Sequence, residues 1–212
     1  MVKFKNERDC YKAVKEVPES KKDNSIELRP ENINNRERFG DWELDTVVST
    51  SNGKHQCLMT LTDRKIRFEI IARLNGKTRD EVIKKIKKIK LIIKDNLNDI
   101  IKSISTDNGN EFSAWKNIQN ILETTVYFCH SYASYEKGTN EKHNGIIRYF
   151  IPKGTLIENY SNQDINDIAY WMNNYPRKMF NYKTPIEMLK EELNNEKLFN
   201  KIINIQKELN AV

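Results

Sequence analysis

From Asp41 the chain alternates. Trp42, Leu44, Thr46 and Val48 take one parity and Glu43, Asp45, Val47 and Ser49 the other, a period-two pattern that predicts a strand over 41–49. Ser51-Asn52-Gly53-Lys54 supplies a turn, and the segments 56–61 and 67–74 read as two further strands separated by Thr62-Asp63-Arg64-Lys65. Three strands joined in this way make an antiparallel meander. The period then changes. Thr78-Arg79-Asp80-Glu81 has the form of a capping box, a hydroxyl at the N-cap with Glu three residues on. Behind it Val82, Ile86, Ile89 and Ile93 form one apolar stripe at helical spacing, with Lys84, Lys85, Lys87 and Lys88 mostly off it. A short strand over 102–106, a turn at Asp107-Asn108-Gly109-Asn110, a helix over 113–122, a strand over 125–130 and a helix over 138–150 follow. An irregular stretch with Pro152 and Gly154 leads to helices over 163–174, 185–194 and 198–209. Ahead of all this, residues 1–38 are polar, interrupted by Pro18 and Pro30, with at most one short helix between Glu7 and Val17. They read as a lead-in.

Three strands, then helix, strand, helix, strand and helices imply an α/β fold in which a mixed five-stranded sheet is flanked by helices. That order is the one expected of a ribonuclease H-like fold. The boundaries that follow are a polar lead-in over 1–38, a core over 39–190 and a C-terminal helical tail over 191–212. Composition narrows the class. A length of 212 residues with 38% hydrophobic and 31% charged residues suits one medium domain. Apolar runs such as Leu91-Ile92-Ile93 fall far short of the roughly 20 residues of a spanning helix, and the N-terminus has no apolar signal region. No membrane partner is expected, and a reducing cytoplasm is the expected location. Cys10, Cys57 and Cys129, an odd set without C-x-x-C spacing, argue against a disulfide framework and against structural zinc. The net charge is +6, and residues 77–102, with nine basic and four acidic side chains, carry most of it. A solvated helix face is the ordinary reading of such a run; a phosphate-binding ridge on Lys84, Lys85, Lys87 and Lys88 is the sharper one.

Three carboxylates hold informative places: Asp45 in the first strand, Asp107 at the end of the fourth, and Glu141 at the start of a later helix. Each has a bland explanation alone. Asp107-Asn108-Gly109 is a good turn, and Glu141 suits a helix's first turn. Asp45 is the exception, because Asp is disfavoured inside strands. Together, two neighbouring central strands and one helix would bring three hard oxygen ligands to one place, a set suited to Mg²⁺. Two such ions about 3.5 to 4 Å apart activate the attacking oxygen and stabilise the leaving oxygen of a phosphoryl displacement, without a nucleophilic side chain. The sequence also lacks a G-x-S-x-G elbow, a Walker P-loop and an H-E-x-x-H motif. His130 and His143 lie near this proposed site and suit orientation or packing at least as well as ligation.

These motifs resemble those of the DDE transposases of bacterial insertion sequences, specifically the insertion sequence thirty family with its retroviral integrase-type catalytic core. The likeness begins at Arg29-Pro30-Glu31 and runs through Asn34-Asn35-Arg36-Glu37-Arg38-Phe39-Gly40-Asp41-Trp42-Glu43-Leu44-Asp45, in which Asp45 rather than Asp41 matches the first catalytic Asp. Thr106-Asp107-Asn108-Gly109-Asn110-Glu111-Phe112 resembles the second-Asp motif, and Gly138-Thr139-Asn140-Glu141-Lys142-His143-Asn144-Gly145 the Glu motif, with 33 residues between Asp107 and Glu141. Arg148, seven residues beyond Glu141, matches a basic position two turns along the same helix face. Pro152-Lys153-Gly154-Thr155, Asn173-Asn174-Tyr175-Pro176-Arg177-Lys178 and Tyr182-Lys183-Thr184-Pro185 complete it. The chain departs from the family pattern at Tyr135-Glu136-Lys137, where a Trp and more basic or amide residues are expected, and at His130-Ser131 and Leu44.

The resemblance implies a catalytic core for DNA transposition. Asp45, Asp107 and Glu141 would be both catalytic residues and ligands of two Mg²⁺ ions, with Mn²⁺ as a substitute. The partner would be double-stranded DNA, both element ends and target, bound by a homodimer or a higher assembly. Arg148 and Lys153 would meet phosphates beside the metals, Asn140 and Asn144 would bond backbone or sugar, and Tyr132 or Tyr135 would stack on an unpaired base. Full-length family members carry a helix-turn-helix region, for which 38 polar residues leave no room. A truncated, non-catalytic DNA-binding regulator of transposition is the alternative from another class, and a plain metal-dependent nuclease a third.

Overall fold

The computed structural model describes residues 23–49, 55–130 and 134–211. The expected helix between Glu7 and Val17 and the turn at 51–54 lie outside them. Strands β1 (Asp41–Val48), β2 (Cys57–Asp63) and β3 (Glu69–Leu74) form the antiparallel meander, and β4 (Ser103–Thr106) and β5 (Thr125–Phe128) join parallel to β1, giving the order β3-β2-β1-β4-β5. This is the mixed five-stranded, ribonuclease H-like sheet. β2 runs two residues past its expected end because Thr62 and Asp63 still pair with Glu43 and Trp42. Gly40, with φ +101°, turns the chain into β1 where a Cβ would stand 3.1 Å from the Ile100 carbonyl oxygen.

Eight helices lie among the described residues: α1 (Glu31–Asn34), α2 (Arg79–Ile93), α3 (Leu97–Ile100), α4 (Trp115–Leu122), α5 (Gly138–Phe150), α6 (Asn162–Asn174), α7 (Pro185–Leu193) and α8 (Glu196–Asn210). Thr78 caps α2 as expected, accepting the Glu81 N–H at 3.3 Å, but the Glu81 carboxylate accepts from Asn75 N (2.9 Å) instead of closing the box. The complete capping boxes belong to Ser161 with Asp164 and Thr184 with Glu187.

The two faces of the sheet are covered differently. Leu44, Met59, Leu61, Ile70, Ala72 and Ile104 pack against the stripe Val82, Ile86, Ile89 and Ile93 of α2, with α4, α7 and α8 around it. On the other face Val47, Leu58 and Ile71 pack against Ile147 and Ile151, on or just beyond α5, and against Ile165, Ile168, Ala169 and Met172 of α6.

Two expected boundaries dissolve. Residues 23–38 dock onto the core: Ser25 bridges to Phe128, and Ile26, Arg29 and Ile33 are buried. The C-terminal helix α8 is part of the core as well, through Leu198, Ile202, Ile205 and Leu209. It also completes the edge of the sheet. The outward backbone groups of β3 are met by side-chain amides: Glu69 by Asn173, Ile71 by Gln206 and Asn210, and Arg73 N–H by Asn210, at 2.7 to 2.9 Å. An edge strand capped in this way offers no template for another chain. Among the described residues no helix is long and apolar enough to cross a membrane.

Candidate active site

The β-sheet register puts a polar row across the face beneath α5. Glu69, Thr62, Glu43 and Ser105 are successive partners on β3, β2, β1 and β4, and all four are buried. Glu43 accepts the backbone N–H of Asn140 at 2.9 Å, so a β1 carboxylate satisfies one of the free N–H groups of the first turn of α5. Arg64 pairs with the same carboxylate. Glu69 Oε2 lies 2.6 Å from the Thr62 hydroxyl and 2.7 Å from His143 Nδ1, and burial pushes its carboxyl up against the pull of His143. Thr139, Asn140 and His143 are thus the buried side of α5, which turns Glu141, Asn144, Gly145 and Arg148 outward.

One register step along, Asp45 stands on β1 beside the end of β4, where Asp107 begins the turn. Asp107 Oδ1 accepts the Gly109 N–H at 2.9 Å, the turn geometry expected of Asp-Asn-Gly. A Cβ at Gly109 would stand 2.5 Å from Glu111 Oε2, so a larger residue there would displace the Glu111 carboxylate. Glu111, buried, accepts from the Thr46 hydroxyl (2.7 Å) and pairs with Lys77 (3.1 Å), tying this turn to β1 next to Asp45. Asp45 is held by the Thr46 N–H (2.8 Å) on Oδ1 and by Asn144 Nδ2 (3.0 Å) on Oδ2.

The Lys137 ammonium lies between the two aspartates, 3.3 Å from Asp45 Oδ1 and 3.1 Å from Asp107 Oδ2. It is nearly buried, whereas the Asp45 and Asp107 side chains are 18% and 43% exposed. Burial pushes the Asp45 carboxyl up, opposed by Lys137; at Asp107 burial is outweighed by Lys137 and the Gly109 N–H, and the carboxyl lies below its ordinary range. Burial lowers the Lys137 ammonium, but the two carboxylates raise it further. His130 secures the turn that carries Lys137, with Nδ1 2.8 Å from Glu136 and Nε2 3.3 Å from Glu27.

Asp45, Asp107 and Glu141 line one cleft of about 520 Å³ together with Lys137, Asn144, Arg148 and Lys153. The three carboxylates therefore share a site, but not a finished metal cage. Glu141 is exposed, and among the described residues no three such side chains converge closely enough to hold an ion as they stand. The donor set nonetheless fits one: two acceptor-only carboxylates already converge on a cation, with a third on the cleft wall.

The other expected contacts divide. Arg148 donates to the carbonyls of Val48 and, at 3.4 Å, Ile151 while facing the cleft, and Lys153 is exposed on its rim. Asn144 orients Asp45. Asn140 corrects the expectation of a DNA contact: it is fully buried, with Oδ1 on the Thr62 hydroxyl, because it faces the polar row. The lysines of α2 lie over the opposite face of the sheet, where Lys85 and Lys88 reach the C-terminal carbonyls of Leu209 and Ala211 at 2.6 and 3.3 Å. Tyr132 and the side chain of Tyr135 fall outside the described residues. Lys137, Glu43 and Glu111 were not expected in site roles; the spacing of Lys137, one turn before Glu141, was the available signal.

No protein-family model matches the sequence. Known proteins do. The chain is 39% identical over 160 residues to the "Probable transposase for insertion-like sequence element IS1161" of Streptococcus salivarius, covering 76% of this chain and 44% of that protein. It is 37% identical over 169 residues to the transposase for insertion sequence element IS4351 of Bacteroides fragilis (80% and 50%), and 36% identical over 164 residues to transposase InsI for insertion sequence element IS30A of Escherichia coli (77% and 41%). Over these residues the chain is similar to transposases of bacterial insertion sequences, IS30A among them. It spans about half the length of these curated relatives. The integrase-type fold is seen independently in a chain of the simian T-cell lymphotropic virus intasome, solved by cryo-EM in complex with PP2A regulatory subunit B56 gamma, with a TM-score of 0.53 at 16% identity over 70% of this chain and 53% of that one.

Proposed function

We propose that this chain is the catalytic core of a DDE transposase, cutting the ends of a DNA element and joining them to target DNA with Mg²⁺ held by Asp45, Asp107 and Glu141. The observation that carries the reading is the meeting of these three carboxylates, from two strands and a helix, in one cleft, with the two aspartates already converging on a positive charge. Bound Mg²⁺ would polarise the scissile phosphodiester and make a water or a DNA 3′-OH a better nucleophile. The protein's own part is positioning. Asn144 fixes the rotamer of Asp45, the Gly109 N–H fixes Asp107, and Glu43 and Glu69 anchor the helix that presents Glu141. Arg148 and Lys153 place positive charge on the cleft wall, where the backbone phosphates of double-stranded DNA would lie. The relatives' transposase names support DNA as substrate; on this reading two or more copies assemble on it, in the bacterial cytoplasm beside the nucleoid.

The test is strand transfer from pre-cut duplex ends, taken from the DNA flanking the gene, into a plasmid target with Mg²⁺ or Mn²⁺. Asp107→Asn is expected to lower joined product by at least about a hundredfold, the scale on which one preorganised electrostatic group acts, with an unchanged circular dichroism spectrum. Undiminished joining by that variant overturns the reading. Binding of the ends without any joining by the wild type supports instead a non-catalytic regulator, and cut products without joined ones a nuclease.

A further inference from the structure

Lys137 is a charged group in an unusual place. The residue is 6% exposed, and its ammonium bridges Asp45 and Asp107 and stands where the proposed function requires a metal ion to be held. With that reading granted, we propose that Lys137 is the resident counter-cation of the site: it holds the two carboxylates together before the metal is bound, and must withdraw from them when the metal enters.

Two carboxylates within 3.1 to 3.3 Å of one ammonium carry a net charge of one negative unit as a group, and one of two without it. Two like charges this close, one of them largely desolvated, repel strongly when nothing lies between them. Lys137 relieves that repulsion, so the site is assembled in advance. The same ammonium occupies the oxygens that a divalent ion would use, and its positive charge opposes the ion's approach. The first metal ion to enter therefore displaces a cation as well as water. The displacement is local, because Lys137 belongs to the short turn 134–137 just ahead of α5 while its neighbour Glu136 is tied to His130 through both carboxylate oxygens. The turn stays anchored while the long, flexible lysine side chain moves. Lys137 is by this account a positioning residue that sets metal affinity, and no ligand.

The test measures Mn²⁺ binding alone, without DNA, by titration calorimetry on the full chain. Lys137→Met, of similar length and without charge, is expected to bind Mn²⁺ at least about tenfold more tightly than the wild type, the effect of removing one unit charge from a half-buried carboxylate pair. Lys137→Arg, which keeps the charge, is expected to stay within about threefold of the wild type. Asp107→Asn, which removes a proposed ligand, is expected to bind at least tenfold more weakly. Equal or weaker binding by Lys137→Met, with Asp107→Asn weakened as expected, overturns the counter-cation and leaves the metal site standing. Unchanged binding by Asp107→Asn, or no binding by any variant, overturns the metal site and this proposal with it. A second measurement needs no variant that folds. In the wild-type chain Lys137 is expected to resist an amine-acylating reagent without metal and to react at saturating Mn²⁺; equal protection in both conditions overturns the displacement.

Discussion

The two faces of the sheet follow different rules. Beneath α2 the contacts are aliphatic, with Leu44, Leu61, Ile70 and Ile104 meeting Val82, Ile86 and Ile89. Beneath the first two turns of α5 they are polar and buried, with Glu43, Thr62 and Glu69 meeting Asn140 and His143. Apolar packing is tolerant of small slips and supplies most of the stabilisation. A buried polar row is costly to assemble, and it admits one helix position in which its groups are matched. The three cleft carboxylates stand at the rim of the polar face, so the helix carrying Glu141 is registered against the strands carrying Asp45 and Asp107 by hydrogen bonds.

The sharpest way to break this contrast is to break the row. Glu69→Ala takes from His143 its buried partner and from the Thr62 hydroxyl one of its two acceptors, and is expected to cost about 3 to 5 kcal/mol in chemical denaturation, the scale for emptying a buried side chain's space and leaving polar groups unpaired there. A cost under 1 kcal/mol would mean that the row does not hold α5. The edge of β3 comes next. Gln206→Ala leaves the Ile71 N–H without its acceptor, with an expected loss of about 1 to 3 kcal/mol and faster hydrogen exchange at Ile71. Unaltered exchange there would return α8 to the role of a tail.

The smallest effect is the pH dependence of the contact between Lys137 and Asp107. Asp107 lies below its ordinary value of 3.8, so its contribution to stability is present above that value and is lost as pH falls through the lower folded-state value. Lys137 lies above its ordinary 10.5, so its contribution is complete below 10.5 and is lost as pH rises through the higher folded-state value. Lys137→Met is therefore expected to melt about 2 °C below the wild type at pH 7 without metal, the scale of a partly exposed ion pair, and the gap closes at both extremes. A gap that widens below pH 4 would contradict the pairing.

Most of the fold was legible because its elements have clean periods. The stripe Val82, Ile86, Ile89, Ile93 and the run from Gly138 to Phe150 became helices with the expected bounds to within a residue or so. The polar row was hidden. In β1 the odd positions Glu43 and Asp45 look like a solvated face, and only the pairing of β1 with β2 and β3 aligns Glu43 with Thr62 and Glu69 under a helix. A sequence carries no direct record of that register. The signal that was available lies in α5, where Asn140 and His143 share the buried face with Ile147, polar residues on a stripe that should otherwise be apolar. The same pattern marks α8, where Gln206 and Asn210, one turn apart, run beside Leu198, Ile202, Ile205 and Leu209. Asn140 faces the row although its neighbour Glu141 faces the cleft, because one step along a helix turns a side chain by about 100°.

The proposed function requires the polar face to deliver three carboxylates to one metal site at its rim. A crystal of the wild-type chain soaked in Mn²⁺ and measured for anomalous scattering tests it most directly. A peak is expected between the Asp45 and Asp107 carboxylates, with Glu141 drawn into its coordination and the Lys137 ammonium displaced. A map in which saturating Mn²⁺ binds elsewhere, leaving Lys137 between the two aspartates, would contradict it.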